Sequence, residues 1–248
     1  METIKQLRRR IIEVAHRDKM GHIPSALSIL DLIYVIYENK TEDDVFVLSK
    51  GHGCMALYAV LERKGLLDWN TKLMGHPKRG GAIMASTGSL GHGLPMAVGL
   101  ALAKKIKGEK GKVFCLIGDG ECNEGTIWES ALLANHHYLD NLVVIVDNNK
   151  SSRRALRLEN LEDKNDPFSR RINTLGDKFH AFGFSVWEIY GHKHSEITDA
   201  IKTVTPKPLI IIADTTKGKG VDMMRNAPQW HNRLMTDEEY QTIMEELK

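Results

Sequence analysis

The sequence predicts an α/β fold: a single domain with a mostly parallel β-sheet flanked by helices. Three observations predict it. Val113 to Ile117 and Leu142 to Val146 are wholly apolar, β-branched runs of strand length, the pattern of strands buried on both faces. Ile127 to Tyr138, between them, has the length and periodicity of a helix, so the three segments make a βαβ unit. A chain of 248 residues, 42% hydrophobic and 27% charged, can also bury one sizeable core.

The elements can be read in chain order. Ile4, Leu7, Ile11, Ile12, Val14 and Ala15 recur at helical spacing among Arg and Lys, giving an amphipathic helix that ends before Gly21. A second helix runs from Ala26 to Tyr37. Val45 to Leu48 is a short strand that stops at Ser49-Lys50-Gly51-His52, a glycine loop feeding a helix around Met55 to Lys64. Asp68 to Ser89 is glycine-rich and aperiodic, a long loop over a functional edge. Small and apolar residues from Leu94 to Ile106 suit a helix packed closely on a sheet. After the βαβ unit, Lys150 to Pro167 is polar and reads as a surface excursion. The alternation then resumes with helix Leu175 to Phe182, strand Phe184 to Ile189, helix Ile197 to Val204 and strand Leu209 to Ala213. A glycine-lysine loop and a last helix after Asp237 complete the chain. No repeat, low-complexity tract or linker divides it, so residues 1–248 are expected to form one domain.

Composition narrows the function classes. Thirty-four basic residues against 32 acidic give a formal charge of +2, which leaves no electrostatic footprint for nucleic acid or an anionic membrane. No apolar stretch approaches the roughly 20 residues that cross a bilayer. Cys54, Cys115 and Cys122 lack CxxC spacing and read as reduced thiols, and Met1 to Arg17 has no signal-peptide apolar block, so a cytoplasmic location is expected.

Two motifs carry chemistry. Gly118-Asp119-Gly120 and Asn148-Asn149 end the two apolar strands, and in a parallel sheet those ends are neighbours on the ligand-binding edge. Glycines let backbone N–H groups approach a diphosphate, while an Asp and an Asn carbonyl are hard oxygen ligands suited to Mg²⁺ or Ca²⁺. The helix starting near Gly125 is expected to add its positive end.

The stretch GDGECNEGTIWESALLANHHYLDNLVVIVDNNK resembles the thiamine-diphosphate fingerprint of the transketolases. Gly21-His22, Ser49-Lys50-Gly51-His52, Gly75-His76-Pro77, Thr87-Gly88-Ser89-Leu90-Gly91, Lys217-Gly218-Lys219-Gly220 and Trp230-His231 fall in that family's order and cover nearly the whole chain. The resemblance implies a thiamine-diphosphate-binding fold of the diphosphate-binding type. It implies that Asp119 and Asn149 hold the metal by side chains with the Ser151 carbonyl as a third ligand. Gly118 would belong to the same diphosphate loop, and Gly120 would meet the diphosphate through its N–H. Gly88 and Leu90 would line the aminopyrimidine, and Glu124 would cross a protomer interface toward a neighbour's catalytic Glu. His22, His52, His76 and His231 would bind the sugar's oxygens and shuttle protons, a task suited to histidine near neutral pH; His52 and His231 would also touch the cofactor.

His16, His136, His137, His180, His192 and His194 read instead as surface or satisfied core residues; the spacing of His192 and His194 could suit zinc, but no Cys or carboxylate motif accompanies it. The chain departs from the family pattern at His92, where relatives commonly have Gln, and at Asn232, where Gly is usual. Ser152-Arg153-Arg154 stands where an Asp is common and reads as a solvated basic loop, with a contact to an anionic substrate or partner as the alternative. A full transketolase has a second domain carrying the pyrimidine-activating Glu, and nothing here matches it. The chain therefore resembles the N-terminal subunit of a split transketolase, completed by a C-terminal, pyrimidine-binding subunit in a two-plus-two assembly. The implied reaction moves a two-carbon ketol unit from a ketose phosphate to an aldose. Alternatives are a related thiamine-diphosphate carboligase or synthase of a specialised sugar pathway, among which the His22, His52 and His231 set favours ketol transfer over decarboxylation, and a non-catalytic cofactor-binding partner, which intact Asp119, Asn149 and the histidines disfavour.

Overall fold

The computed structural model describes residues 2–151 and 174–248. Five parallel strands form one sheet in the order β1-β2-β3-β5-β4, with β1 at Val45–Leu48, β2 at Val113–Gly118, β3 at Leu142–Asn148, β4 at Ser185–Tyr190 and β5 at Leu209–Asp214. The register pairs Leu48 with Leu116, Gly118 with Asp147, and Asn148 with Asp214, so the carboxyl ends of the strands share one edge.

The strand sequences alternate between two cores, as the period of two requires. Phe114, Leu116, Val143, Ile145, Leu209 and Ile211 face one core; Cys115, Ile117, Val144, Val146, Ile210 and Ile212 face the other. The first core is covered by α1 (Glu2–Asp18), α2 (Ile23–Asn39), α3 (Cys54–Arg63), α7 (His194–Lys202) and α8 (Asp237–Glu246). The second is covered by α4 (Gly93–Lys107), α5 (Gly125–His136) and α6 (Leu175–Ala181). The least buried strand is β4, which lies at the edge with Trp187 and Glu188 exposed.

Helix boundaries have local causes. His22 takes a left-handed conformation (φ 58°) just before α2, and Pro24 sits in the first turn, where its missing N–H costs nothing, so the helix begins three residues earlier than its apolar run suggested. Gly108 ends α4 with φ 66°, a conformation that favours glycine. Thr236 caps α8 by accepting from the Glu239 N–H at 3.2 Å while Glu239 accepts from the Thr236 N–H at 2.9 Å. The expected long loop from Asp68 to Ser89 contains only an isolated bridge between Gly80 and Ile83. The expected surface excursion at Lys150 to Pro167 and its Arg153-Arg154 pair lie, from Ser152 onward, outside the described residues.

Candidate active site

The carboxyl edge of the sheet holds a cavity of about 380 Å³. Asp119 and Gly120 reach it from the single 3-10 turn that follows β2, and Asn149 and Ser151 from just beyond β3. His22 comes from the start of α2, His52 from the turn after β1, His76, Gly88 and Leu90 from the long loop, and His231 from the C-terminal segment. Gly118 completes the sequence-predicted set in the wall. Glu124 does not line the cavity; it is exposed, one turn further on, with its side chain against Gly91.

The same turn, Asp119–Asn123, separates Asp119 from the start of α5. Gly120 lies in the cavity wall with its N–H donating to Asp119 Oδ1 at 2.9 Å, whereas Gly125, where α5 starts, lies outside the cavity. The orientation of Asn149 is set on both sides. Its Nδ2 donates to Asp147 at 2.8 Å, and its Oδ1 accepts the Ser151 N–H at 2.9 Å.

Three histidines stand close together: the ring of His22 lies 5.3 Å from that of His52 and 5.5 Å from that of His231. His76 approaches from the opposite loop, where a Cβ on Gly88 would stand 3.2 Å from its ring, so glycine there permits the approach. Burial, then His231, His76 and the ammonium groups of Lys217 and Lys50, push His22 down to about 4. Burial and Lys50 push His52 lower still, and burial and Lys217 depress His231. Each shift favours the neutral imidazole, which carries one N–H donor and one acceptor nitrogen; at His231 the acceptor, Nδ1, is taken by Lys217.

Several side chains in and behind the cavity wall escaped the sequence reading. Lys50 (2% exposed) forms an ion pair with fully buried Asp147, which also accepts from Thr215 Oγ1, Ser28 Oγ and Asn149 Nδ2. Burial alone would raise the Asp147 carboxyl; Lys50 and these hydrogen bonds outweigh it and hold it below the usual carboxylate range. Lys217 donates to His231 Nδ1 at 2.9 Å and to Ser151 Oγ at 2.8 Å. Buried Glu121 ties three loops together, accepting from Ser49 Oγ (2.6 Å), the Gly91 N–H (2.8 Å) and the Gly118 N–H (2.9 Å). The available signal was charge in apolar context: Lys50 follows a buried strand within two residues, and Asp147 lies inside one.

The donor chemistry fits a diphosphate bridged by a divalent cation. One carboxylate, one amide oxygen and one backbone carbonyl are hard oxygen ligands that leave coordination positions for phosphate oxygens. Lys50 and Lys217 supply positive charge in the same wall.

The sequence profile of the transketolase thiamine diphosphate binding domain matches residues 1–247. The chain belongs to this family. It is 36% identical to an apulose-4-phosphate transketolase subunit from Actinobacillus succinogenes, over 98% of this chain and 94% of that protein. It is 34% identical to the 6-deoxy-6-sulfo-D-fructose transketolase subunit of a Clostridium species, over 98% of this chain and 94% of the relative. Among solved structures, the transketolase of Campylobacter jejuni superposes with a TM-score of 0.76 at 28% identity, covering 99% of this chain and 41% of that one. The transketolase of Leishmania mexicana shares the fold, with a TM-score of 0.79. The chain thus matches relatives named as transketolase subunits nearly end to end but spans about 40% of the two solved transketolase chains. The fold, the family and a transketolase-type activity with thiamine diphosphate agree with the expectation from the motifs.

The remaining histidines behave as expected, with one addition. His16 stacks on Tyr240 and pairs with Asp237, while His192 and His194 both reach Asp31, a carboxylate distant in sequence that local spacing could not reveal. His92 is exposed, with Nδ1 2.9 Å from the Leu90 carbonyl oxygen, and Asn232 packs on Gly21 beside His22.

Proposed function

We propose that this chain is the diphosphate-binding half of a two-chain transketolase that moves a two-carbon ketol unit from a ketose phosphate to an aldose. The observation that carries the reading is one cavity in which a hard-oxygen set (Asp119, Asn149, Ser151) faces a histidine set (His22, His52, His76, His231). Relatives named for apulose 4-phosphate and for 6-deoxy-6-sulfo-D-fructose support a ketose with an anionic group as substrate class. Both of those relatives are named as one subunit of their transketolase, which supports a second chain, here one that brings the pyrimidine-binding domain in a two-plus-two assembly with Glu124 in the seam. Among the described residues no helix is long and apolar enough to cross a membrane, which is compatible with a cytoplasmic enzyme.

In this reading Asp119, Asn149 and the Ser151 carbonyl would hold Mg²⁺ or Ca²⁺, and Gly120 would meet the diphosphate through its N–H. Bound thiamine diphosphate supplies a carbon nucleophile and an electron sink for cleaving the carbon–carbon bond. The protein supplies proton transfers: the donor's carbonyl oxygen needs a proton on attack, and a neighbouring hydroxyl must lose one on cleavage. Neutral His22 and His52, each with one N–H and one acceptor nitrogen, can serve either step, while His231, whose Nδ1 accepts from Lys217, is left with Nε2–H as a donor. Gly88 and Leu90 line the pyrimidine side.

The test is reconstitution. The chain alone should show no turnover of any ketose and should gain it with the pyrimidine-binding chain; turnover by the chain alone would refute the split-enzyme reading. Asp119→Ala should abolish Mg²⁺-dependent binding of thiamine diphosphate by calorimetry on that complex, because one of two side-chain ligands is lost. Unchanged affinity would remove Asp119 from the metal site.

A further inference from the structure

Behind the cavity, a second polar cluster has no part in the reaction described above. Its hub is Asp31 of α2, 4% exposed, which accepts from Arg8 Nη2 at 2.9 Å. His192 Nδ1 lies 3.0 Å from one carboxylate oxygen and His194 Nε2 2.9 Å from the other. The far nitrogen of His192, Nε2, accepts the backbone N–H of Thr216 at 2.8 Å. That contact decides the tautomer: Nε2 is bare, so Nδ1 carries the proton and donates it to Asp31. His192 is therefore a buried bridge, its side chain 3% exposed, between a helix and the loop after β5.

The loop it holds carries Lys217, the next residue, whose ammonium donates to His231 Nδ1 and to Ser151 Oγ. The same face of α2 serves the cavity at three successive positions spaced by three residues. Ser25 lines the cavity, Ser28 donates to Asp147, and Asp31 holds His192.

We propose that His192, anchored on Asp31, is a positioning residue of the active site: by holding the Thr216 amide it sets the reach of the Lys217 ammonium to Nδ1 of His231. Because Lys217 occupies Nδ1 as a donor, His231 presents Nε2–H to the cavity and acts as a hydrogen-bond donor of fixed direction. The inference rests on the reading of His231 as an acid–base group.

The test uses the full chain without substrate, so it succeeds or fails independently of turnover. Two quantities are read by NMR: hydrogen exchange of the Thr216 amide, and the titration of the His231 imidazole, which burial, Lys217 and Lys50 hold low. In His192→Ala the Thr216 amide should lose protection, and the His231 titration should shift up as the Lys217 ammonium withdraws. His192→Gln, whose amide carries one acceptor and one donor, should restore most of both. His194→Gln, which removes a partner of Asp31 without touching the loop, should leave both unchanged. An unshifted His231 titration in folded His192→Ala, or an equal shift in His194→Gln, would overturn the proposal. If His192→Ala does not fold, His192→Leu keeps the buried volume, removes both hydrogen bonds and reads the same two quantities.

Discussion

Replacing Lys50 with Met removes the ammonium that faces Asp147 and leaves a fully buried carboxylate without its counter-ion. Breaking a buried pair from one side costs about 3–5 kcal/mol, because the surviving charge stays desolvated. Asp147 keeps hydrogen bonds from Thr215, Ser28 and Asn149, which places Lys50→Met at the lower end, about 3 kcal/mol. For a chain of this length each kcal/mol moves Tm by roughly 2–4 °C, so Tm should fall by roughly 6–12 °C. Urea unfolding at pH 7 and calorimetric scanning measure the two quantities. The double variant Lys50→Met/Asp147→Leu should recover most of the loss, since no charge is then stranded. The pH dependence has a definite sign. With Lys50 present, the folded Asp147 carboxyl lies below its ordinary value, so its contribution is complete above that value and is lost as pH falls through the lower folded one. Without Lys50, burial dominates and raises the carboxyl, so acid unfolding should begin at a higher pH in the variant. A Lys50→Met protein within about 1 kcal/mol of the parent, with an unmoved acid limb, would refute the reasoning.

Three further outcomes are expected. Glu121→Gln should cost roughly 1.5–3 kcal/mol by urea unfolding, because one of its three acceptor contacts must meet an NH₂ group, and hydrogen exchange at Gly91 and Gly118 should rise together. His22 should titrate near pH 4 by NMR; as its folded value lies below the ordinary 6.5, its contribution to stability is complete above 6.5 and is lost as pH falls toward 4, so an ordinary titration would show that the ring is not held neutral. In the reconstituted enzyme, His231→Ala should lower kcat by about 10²- to 10⁴-fold while thiamine diphosphate affinity stays nearly intact, and parental turnover would remove His231 from the mechanism.

What the sequence determined by itself was local or periodic. The apolar runs at β2, β3 and β5 could only be strands covered on both faces, and the motif order from Gly21-His22 to Trp230-His231 carried the family and its cofactor. Backbone geometry moved boundaries by a few residues, as at α2, where a left-handed His22 and Pro24 start the helix before its apolar stripe does. Only the tertiary structure decided which charges meet. Lys50 and Asp147 are 97 positions apart, and Asp31 and His192 are 161 apart; both pairs form because the parallel strands bring their carboxyl ends to one edge and α2 packs there. No spacing rule links such residues. Their worth comes from low dielectric and mutual desolvation, which exist only once both cores have closed around them.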